Sequence, residues 1–168
     1  MIYEIRTYGD PCLSDVNQLI VDIDDNIKQL LDDMLETMYK TNGVGLAAPQ
    51  IGINKQLFVI DIGDGPRKII NPEILEMSEE CNDSDEGCLS VPGIYKKVKR
   101  ADKIKVKYLN ENGDTIEEEM EGFLAKAFQH ENDHLNGVLF VDRISPLSRR
   151  MISKKLQLLK KARLKNKK

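Results

Sequence analysis

Two histidines and a glutamate stand together in Gln129-His130-Glu131-Asn132-Asp133-His134-Leu135-Asn136-Gly137. The pattern His-Glu-x-x-His reads as part of a helix, where residues i and i+4 share a face one turn apart. His130 and His134 then present two imidazoles to one point, as a tetrahedral metal site requires. Glu131, beside the first ligand, can reach a metal-bound water without ligating the metal itself. These are the only two histidines in the chain. The bland alternative is a pair of surface histidines on an amphipathic helix. A chance match to this pattern is uncommon in a chain of this length, so metal chemistry is the stronger reading.

A catalytic metal with two histidines needs a third protein ligand and an open position for water. Peptide-cleaving enzymes with this motif place that ligand downstream. Here the extended pattern fits through Gly137 and then fails, because residue 140 is Phe. No Glu follows Glu131, and beyond the motif Asp142 is the only acid, at no recognised spacing. The search therefore turns upstream, to Cys88 in Glu86-Gly87-Cys88-Leu89-Ser90. Thiolate suits iron or zinc, and the adjacent glycine lets the backbone pack closely. A lone Cys is more often a small buried hydrophobe, but the missing ligand favours Cys88 over Cys12 and Cys81.

These groups need elements to position them. Asp24 and Asp25 open a helix whose apolar residues, Ile27, Leu30, Leu31, Met34, Leu35 and Met38, give one core-facing stripe, and Gly43 ends it. Gly43-Val44-Gly45-Leu46-Ala47-Ala48-Pro49-Gln50 reads as a loop allowing close backbone approach; it lacks the Lys-Ser/Thr ending of a phosphate loop. Strands are expected at 56–62 and 68–70, with a break at Asn71-Pro72, an extension over 73–77 and an acidic loop over 78–86. Residues 103–109 alternate Ile104, Val106 and Tyr108 with lysines, and 115–120 returns as the second arm of a hairpin. Glu117 and Glu119 can then face the lysine row. Gly122 opens the metal helix, on which Phe123, Ala127, His130 and His134 share a face, and Gly137 suits its C-terminal end. Ser145-Pro146 begins a last helix with Ile152, Leu156 and Leu159 as its apolar stripe. The expectation is one α+β domain spanning residues 1–168.

With 40% apolar and 32% charged residues, the 168-residue chain is an ordinary globular protein, neither disordered nor fibrous. Residues 1–10 lack a secretory signal, and no stretch approaches the length of a membrane span. Three cysteines, an odd number, argue against a disulfide framework and for a reducing cytoplasm. Residues 149–168 carry ten Lys or Arg and no acid, whereas the rest of the chain holds 15 basic and 28 acidic side chains. This basic tail could contact a polyanion such as ribosomal RNA, or simply solubilise a helix end. No membrane or DNA partner is expected.

Three segments, Gly43–Gln50, Glu86–Ser90 and Gln129–His134, occur in the order and approximate spacing of the three motifs of bacterial peptide deformylases. The resemblance spans most of the chain and shows no departure within the motifs; it secures nothing about residues 149–168. It implies removal of the N-formyl group from the initiator methionine of nascent polypeptides, with release of formate. It implies Fe²⁺ held by Cys88, His130 and His134, with Zn²⁺, Ni²⁺ or Co²⁺ able to substitute. It also implies antiparallel sheets around a central metal-binding helix; the N-terminal amphipathic and C-terminal basic helices are expected from the residue patterns alone. Metal-activated hydroxide would attack the formyl carbon, with Glu131 as general base and then acid. By the same resemblance the Gln50 side chain and the Leu89 N–H would stabilise the oxyanion. Peptide would pair with backbone near Gly45, and Val44, Phe123 and Ala127 would wall the methionine pocket.

Overall fold

The computed structural model describes residues 1–166, with side chains to Arg163; Lys167 and Lys168 of the basic tail lie outside the described residues. Three helices, α1 (Asp25–Lys40), α2 (Gly122–Leu135) and α3 (Pro146–Asn166), accompany seven strands. The strands are β1 (Gly45–Ala47), β2 (Leu57–Ile60), β3 (Arg67–Met77), β4 (Cys81–Cys88), β5 (Val91–Ala101), β6 (Lys103–Leu109) and β7 (Thr115–Glu121). They form an antiparallel five-stranded sheet in the order β1-β2-β3-β6-β7 and a separate antiparallel pair, β4-β5. The architecture is α+β.

β2 shows how the sheet holds a helix on each face. Leu57 and Val59 join the core cluster of α1, with Leu31, Met34 and Met38. Phe58 and Ile60, on the opposite face by the period-2 alternation of a strand, join the cluster of α2, with Ala125, Phe128 and Leu135. All four are fully buried, which is why this strand reads as a continuous apolar run. Phe58 and Phe128 meet edge-to-face with ring centroids 5.0 Å apart. α2 is thereby fixed against the sheet through the residues next to its histidines. A third cluster joins Val91, Ile94 and Val98 of β5 to Phe140 and to Ile152 and Leu156 of α3.

α1 begins as its sequence suggests: the Asp24 carboxylate accepts the Ile27 N–H at 2.9 Å, capping a stripe buried from Ile27 to Met38. Its end differs. The left-handed residue after Lys40 is Asn42 (φ 58°), not Gly43. Gly43 instead lacks a Cβ where one would lie 3.2 Å from Leu89 Cδ1, so the two walls of the later cavity touch there.

Two sequence expectations fail along the next segment. Asn71-Pro72 does not break the strand: β3 runs through it with a register shift between Ile70 and Glu73. Asn71 takes a positive φ of 50°, and its side chain exchanges two 2.9 Å hydrogen bonds with the Ile20 backbone. Residues 81–86 are not a loop but part of β4. Its acids stand opposite lysines of β5 in the register, Asp83 facing Lys99 and Asp85 facing Lys97, while Val91, Ile94 and Val98 of β5 supply the pair's apolar support. The hairpin of β6 and β7 has the expected register, Lys105 opposite Glu119 and Lys107 opposite Glu117. Ser145 accepts the Ser148 N–H at 3.1 Å at the start of α3.

Candidate metal centre

Cys88 ends β4, and His130 and His134 lie one turn apart on α2, which crosses beside it. Their three donor atoms fall within 4.8 Å of one another. Cys88 Sγ lies 3.3 Å from His134 Nε2. A tetrahedral ion with a sulfur ligand near 2.3 Å and a nitrogen ligand near 2.1 Å would set that edge at about 3.6 Å. One thiolate and two imidazoles also make a donor set for Fe²⁺, Zn²⁺ or a neighbouring divalent metal. The residues fit a metal.

The support behind them was not apparent from spacing. His130 Nδ1 pairs with Glu86 Oε1 at 2.8 Å, which leaves Nε2 for the centre. Glu86 in turn accepts two bonds from Arg100, at 2.8 and 2.9 Å. Arg100 also reaches Asp133 at 2.5 Å, and Arg143 closes the chain on the same carboxylate at 2.5 and 2.8 Å. Burial would raise the Glu86 pKa, but Arg100 and His130 outweigh it and hold the carboxyl at about 2. Burial lowers His134 well below the usual histidine range, and the His130 and Arg100 charges add to this, keeping its ring neutral as a ligand must be. His130 moves the other way, because hydrogen bonds that its ring donates to Cys88 and Glu86 overcome its burial. The cluster thus favours positive charge at its centre, as a proton or an ion.

Glu131 is buried beside this centre, and that burial pushes its carboxyl up to about 7, partly offset by the His130 charge. Gly45 of β1 abuts it. A Cβ on Gly45 would lie 2.8 Å from Glu131 Oε2 and 2.9 Å from Cδ, so only glycine leaves room for the carboxylate there. Gln50 is buried in the turn after β1; its Oε1 accepts the Ala47 N–H at 2.9 Å. Its Nε2 points to Cys88 Sγ at 3.4 Å and to Ser90 Oγ at 3.2 Å.

A cavity of about 470 Å³ opens on these groups. It is lined by Val44, Gly45, Leu89, Phe123 and Ala127, together with Gln50, Cys88, His130 and Glu131. His134 lies deeper, buried under the floor. The structure therefore gathers every expected site residue around one space. Ser84, Pro92, Tyr95 and Lys126 also line it and gave no signal in the sequence. A larger groove of about 610 Å³ passes Arg100 and Asp133 but holds none of the three ligands. β1 is an edge strand of the large sheet, bordering this cavity through Gly45.

The family model described as polypeptide deformylase matches residues 2–150. The chain belongs to the peptide deformylase family. A peptide deformylase of Fusobacterium nucleatum is 54% identical over 164 residues, covering 96% of this chain and 94% of that protein. The crystal structure of the Thermotoga maritima peptide deformylase superposes with a TM-score of 0.85 at 52% identity, covering 87% of this chain and 99% of that one. A Synechococcus elongatus peptide deformylase in complex with actinonin gives a TM-score of 0.87 at 44% identity, over 91% of this chain and 85% of that one. The α+β architecture with antiparallel sheets is thus the deformylase fold, and the chain is an enzyme of that kind.

Within the deformylase site, the Gly45–Glu131 contact has a measurable consequence. Gly45→Ala should push the Glu131 carboxylate aside, and the expected result for a displacement near 1 Å is a fall of about a hundredfold in kcat. Metal content should stay unchanged, because no ligand moves. Unaltered kcat in a folded variant would show that Glu131 has room to spare.

Proposed function

We propose that residues 1–168 form one catalytic domain that removes the N-formyl group from N-formylmethionyl peptides and releases formate. The observation that carries this reading is the buried Glu131 carboxylate beside a Cys88–His130–His134 donor set at the mouth of one cavity. The ion proposed for that set is Fe²⁺, with Zn²⁺, Ni²⁺ or Co²⁺ as substitutes. When bound, it supplies Lewis-acid polarisation and lowers the pKa of water.

Glu131 takes a proton from the attacking water and delivers it to the departing amine. A carboxyl raised to about 7 by burial suits both roles near neutral pH. Gln50 Nε2, already aimed at Cys88 Sγ, and the backbone N–H of Leu89 donate to the developing oxyanion. The free edge of β1 at Gly45 receives the extended peptide as an added strand. Val44, Phe123 and Ala127 hold the methionine side chain. Metal-loaded protein should release formate from formyl-Met-Ala-Ser and leave acetyl-Met-Ala-Ser intact. Cleavage of an internal peptide bond in an unblocked substrate would instead favour an endopeptidase.

The basic tail adds a second contact. We place the enzyme in the cytoplasm, at the ribosome, with residues 149–168 against ribosomal RNA; the exposed Arg150, Lys154 and Lys155 begin that surface on α3, whereas Arg149 is held by the Val141 carbonyl and Asp142. Deleting residues 157–168, beyond the buried Ile152 and Leu156, should weaken ribosome binding in a salt-dependent manner and leave turnover of short peptides intact. Ribosome binding that survives the deletion at all salt concentrations would remove residues 157–168, with six of the tail's ten basic side chains, from the account.

A further inference from the structure

Gln50 and Leu89 reach the site from different parts of the chain. Gln50 lies in the short turn Ala48–Ile51 that follows β1, and Leu89 in the turn between β4 and β5, next to Cys88. Ser90 completes that second turn and is fully buried. Its Oγ accepts a hydrogen bond from Gln50 Nε2 at 3.2 Å, the side-chain link between the two turns. Their backbones are joined as well. The N-terminal segment donates the Arg6 N–H to the Gln50 carbonyl at 2.6 Å and the Tyr8 N–H to the Ser90 carbonyl at 2.7 Å. The Gln50–Ser90 pair is therefore held at both backbones, and its side-chain bond spans a fixed gap.

The Gln50 amide is pinned at each end. The Ala47 N–H at Oε1 decides which end is the oxygen. Nε2 carries two hydrogens, one directed to Ser90 Oγ and the other to Cys88 Sγ at 3.4 Å. We propose that Ser90 is a positioning residue: by accepting one Nε2 hydrogen it turns the other toward the donor set, where the oxyanion forms. The proposal rests on the deformylase reading and on Gln50 as an oxyanion donor. Sulfur is a weak acceptor, so the hydrogen on Cys88 is the one that substrate can take over. Without the hydroxyl, a buried N–H loses its partner and the amide is held at its oxygen end alone. The terminal torsion of Gln has a broad minimum, so the plane then rocks. An oxyanion donor is effective because it needs no reorganisation as charge develops, so a rocking amide lowers kcat more than it weakens substrate binding.

The test is formate release from formyl-Met-Ala-Ser by metal-loaded wild type, Ser90→Ala, Gln50→Ala and the double variant. Ser90→Ala should lower kcat about tenfold, the worth of one good hydrogen bond, with KM and metal content unchanged. Added to Gln50→Ala it should cost nothing further, because no amide is left to orient. In zinc-loaded, isotope-labelled protein followed by NMR, the Gln50 side-chain amide hydrogens should exchange slowly in wild type and faster in Ser90→Ala. Ser90→Cys, which keeps a weaker acceptor in the same place, should give an intermediate kcat and carries the test if Ser90→Ala does not fold. A kcat unchanged in both Ser90 variants, an equal fall in the Gln50→Ala background, or unaltered amide exchange would overturn the role of Ser90 while leaving deformylation intact. No formate from wild type would overturn the deformylase reading itself, and this proposal with it.

Discussion

Replacing Glu131 by Gln should lower formate release from formyl-Met-Ala-Ser by about a thousandfold, with metal content held at the wild-type level. The size follows from what is removed. Gln keeps the shape and burial of the side chain and its contact with Gly45, but it can neither take a proton from water nor return one to the amine. Proton transfer by a placed side chain contributes about 10²–10⁴ in rate. Metal should remain because Glu131 is outside the donor set of Cys88, His130 and His134. A fall in metal content parallel to the fall in rate would make Glu131 a support of the site rather than its acid and base. A rate near wild type would remove it from the chemistry.

Arg100→Met should destabilise the protein by about 3–5 kcal/mol and weaken metal binding by about tenfold to a hundredfold. Arg100 is buried and bridges two carboxylates, Glu86 and Asp133. Removing it strands Glu86 without its main counter-charge in a buried position, where an isolated charge is costly. Asp133 suffers less, because Arg143 still holds both of its oxygens. Glu86 is also the partner of His130 Nδ1, so the same substitution loosens the ring that must offer Nε2. Urea unfolding and metal competition should therefore respond together. A midpoint shift worth less than 1 kcal/mol, with unchanged metal affinity, would show that the network is dispensable.

The elements that carried periodic apolar patterns were legible. α1 and its cap, the alternating β6 and its lysine–glutamate register with β7, and the helix of the two histidines all follow local rules. β4 did not, because its residues, Asn82-Asp83-Ser84-Asp85, have the composition of a turn. What makes them a strand is backbone pairing with β5, itself anchored by the buried Val91, Ile94 and Val98, which no local window reveals. The break expected at Asn71-Pro72 is likewise absorbed by a bulge anchored on Ile20, 51 residues away.

The site divides in the same way. The histidines, and Cys88 by elimination, are visible because metal ligation demands rare residue types at restricted spacings. The support of His130 is invisible because Glu86, Arg100 and Asp133 are ordinary charged residues brought together by the crossing of β4 and β5 with α2. Gly45 was legible only in part. Its place on an open strand edge suits peptide pairing, but its closest neighbour is the Glu131 carboxylate, which gives the missing side chain a second purpose.

Titrating Fe²⁺ anaerobically into metal-free protein, while following formate release from formyl-Met-Ala-Ser, tests the central claim most directly. Activity should be absent at the start, rise linearly and level off at one ion per chain, and Cys88→Ala should show no such rise. Formate release from the metal-free protein, or a fully loaded protein that releases none, would contradict a deformylase centred on Cys88, His130 and His134.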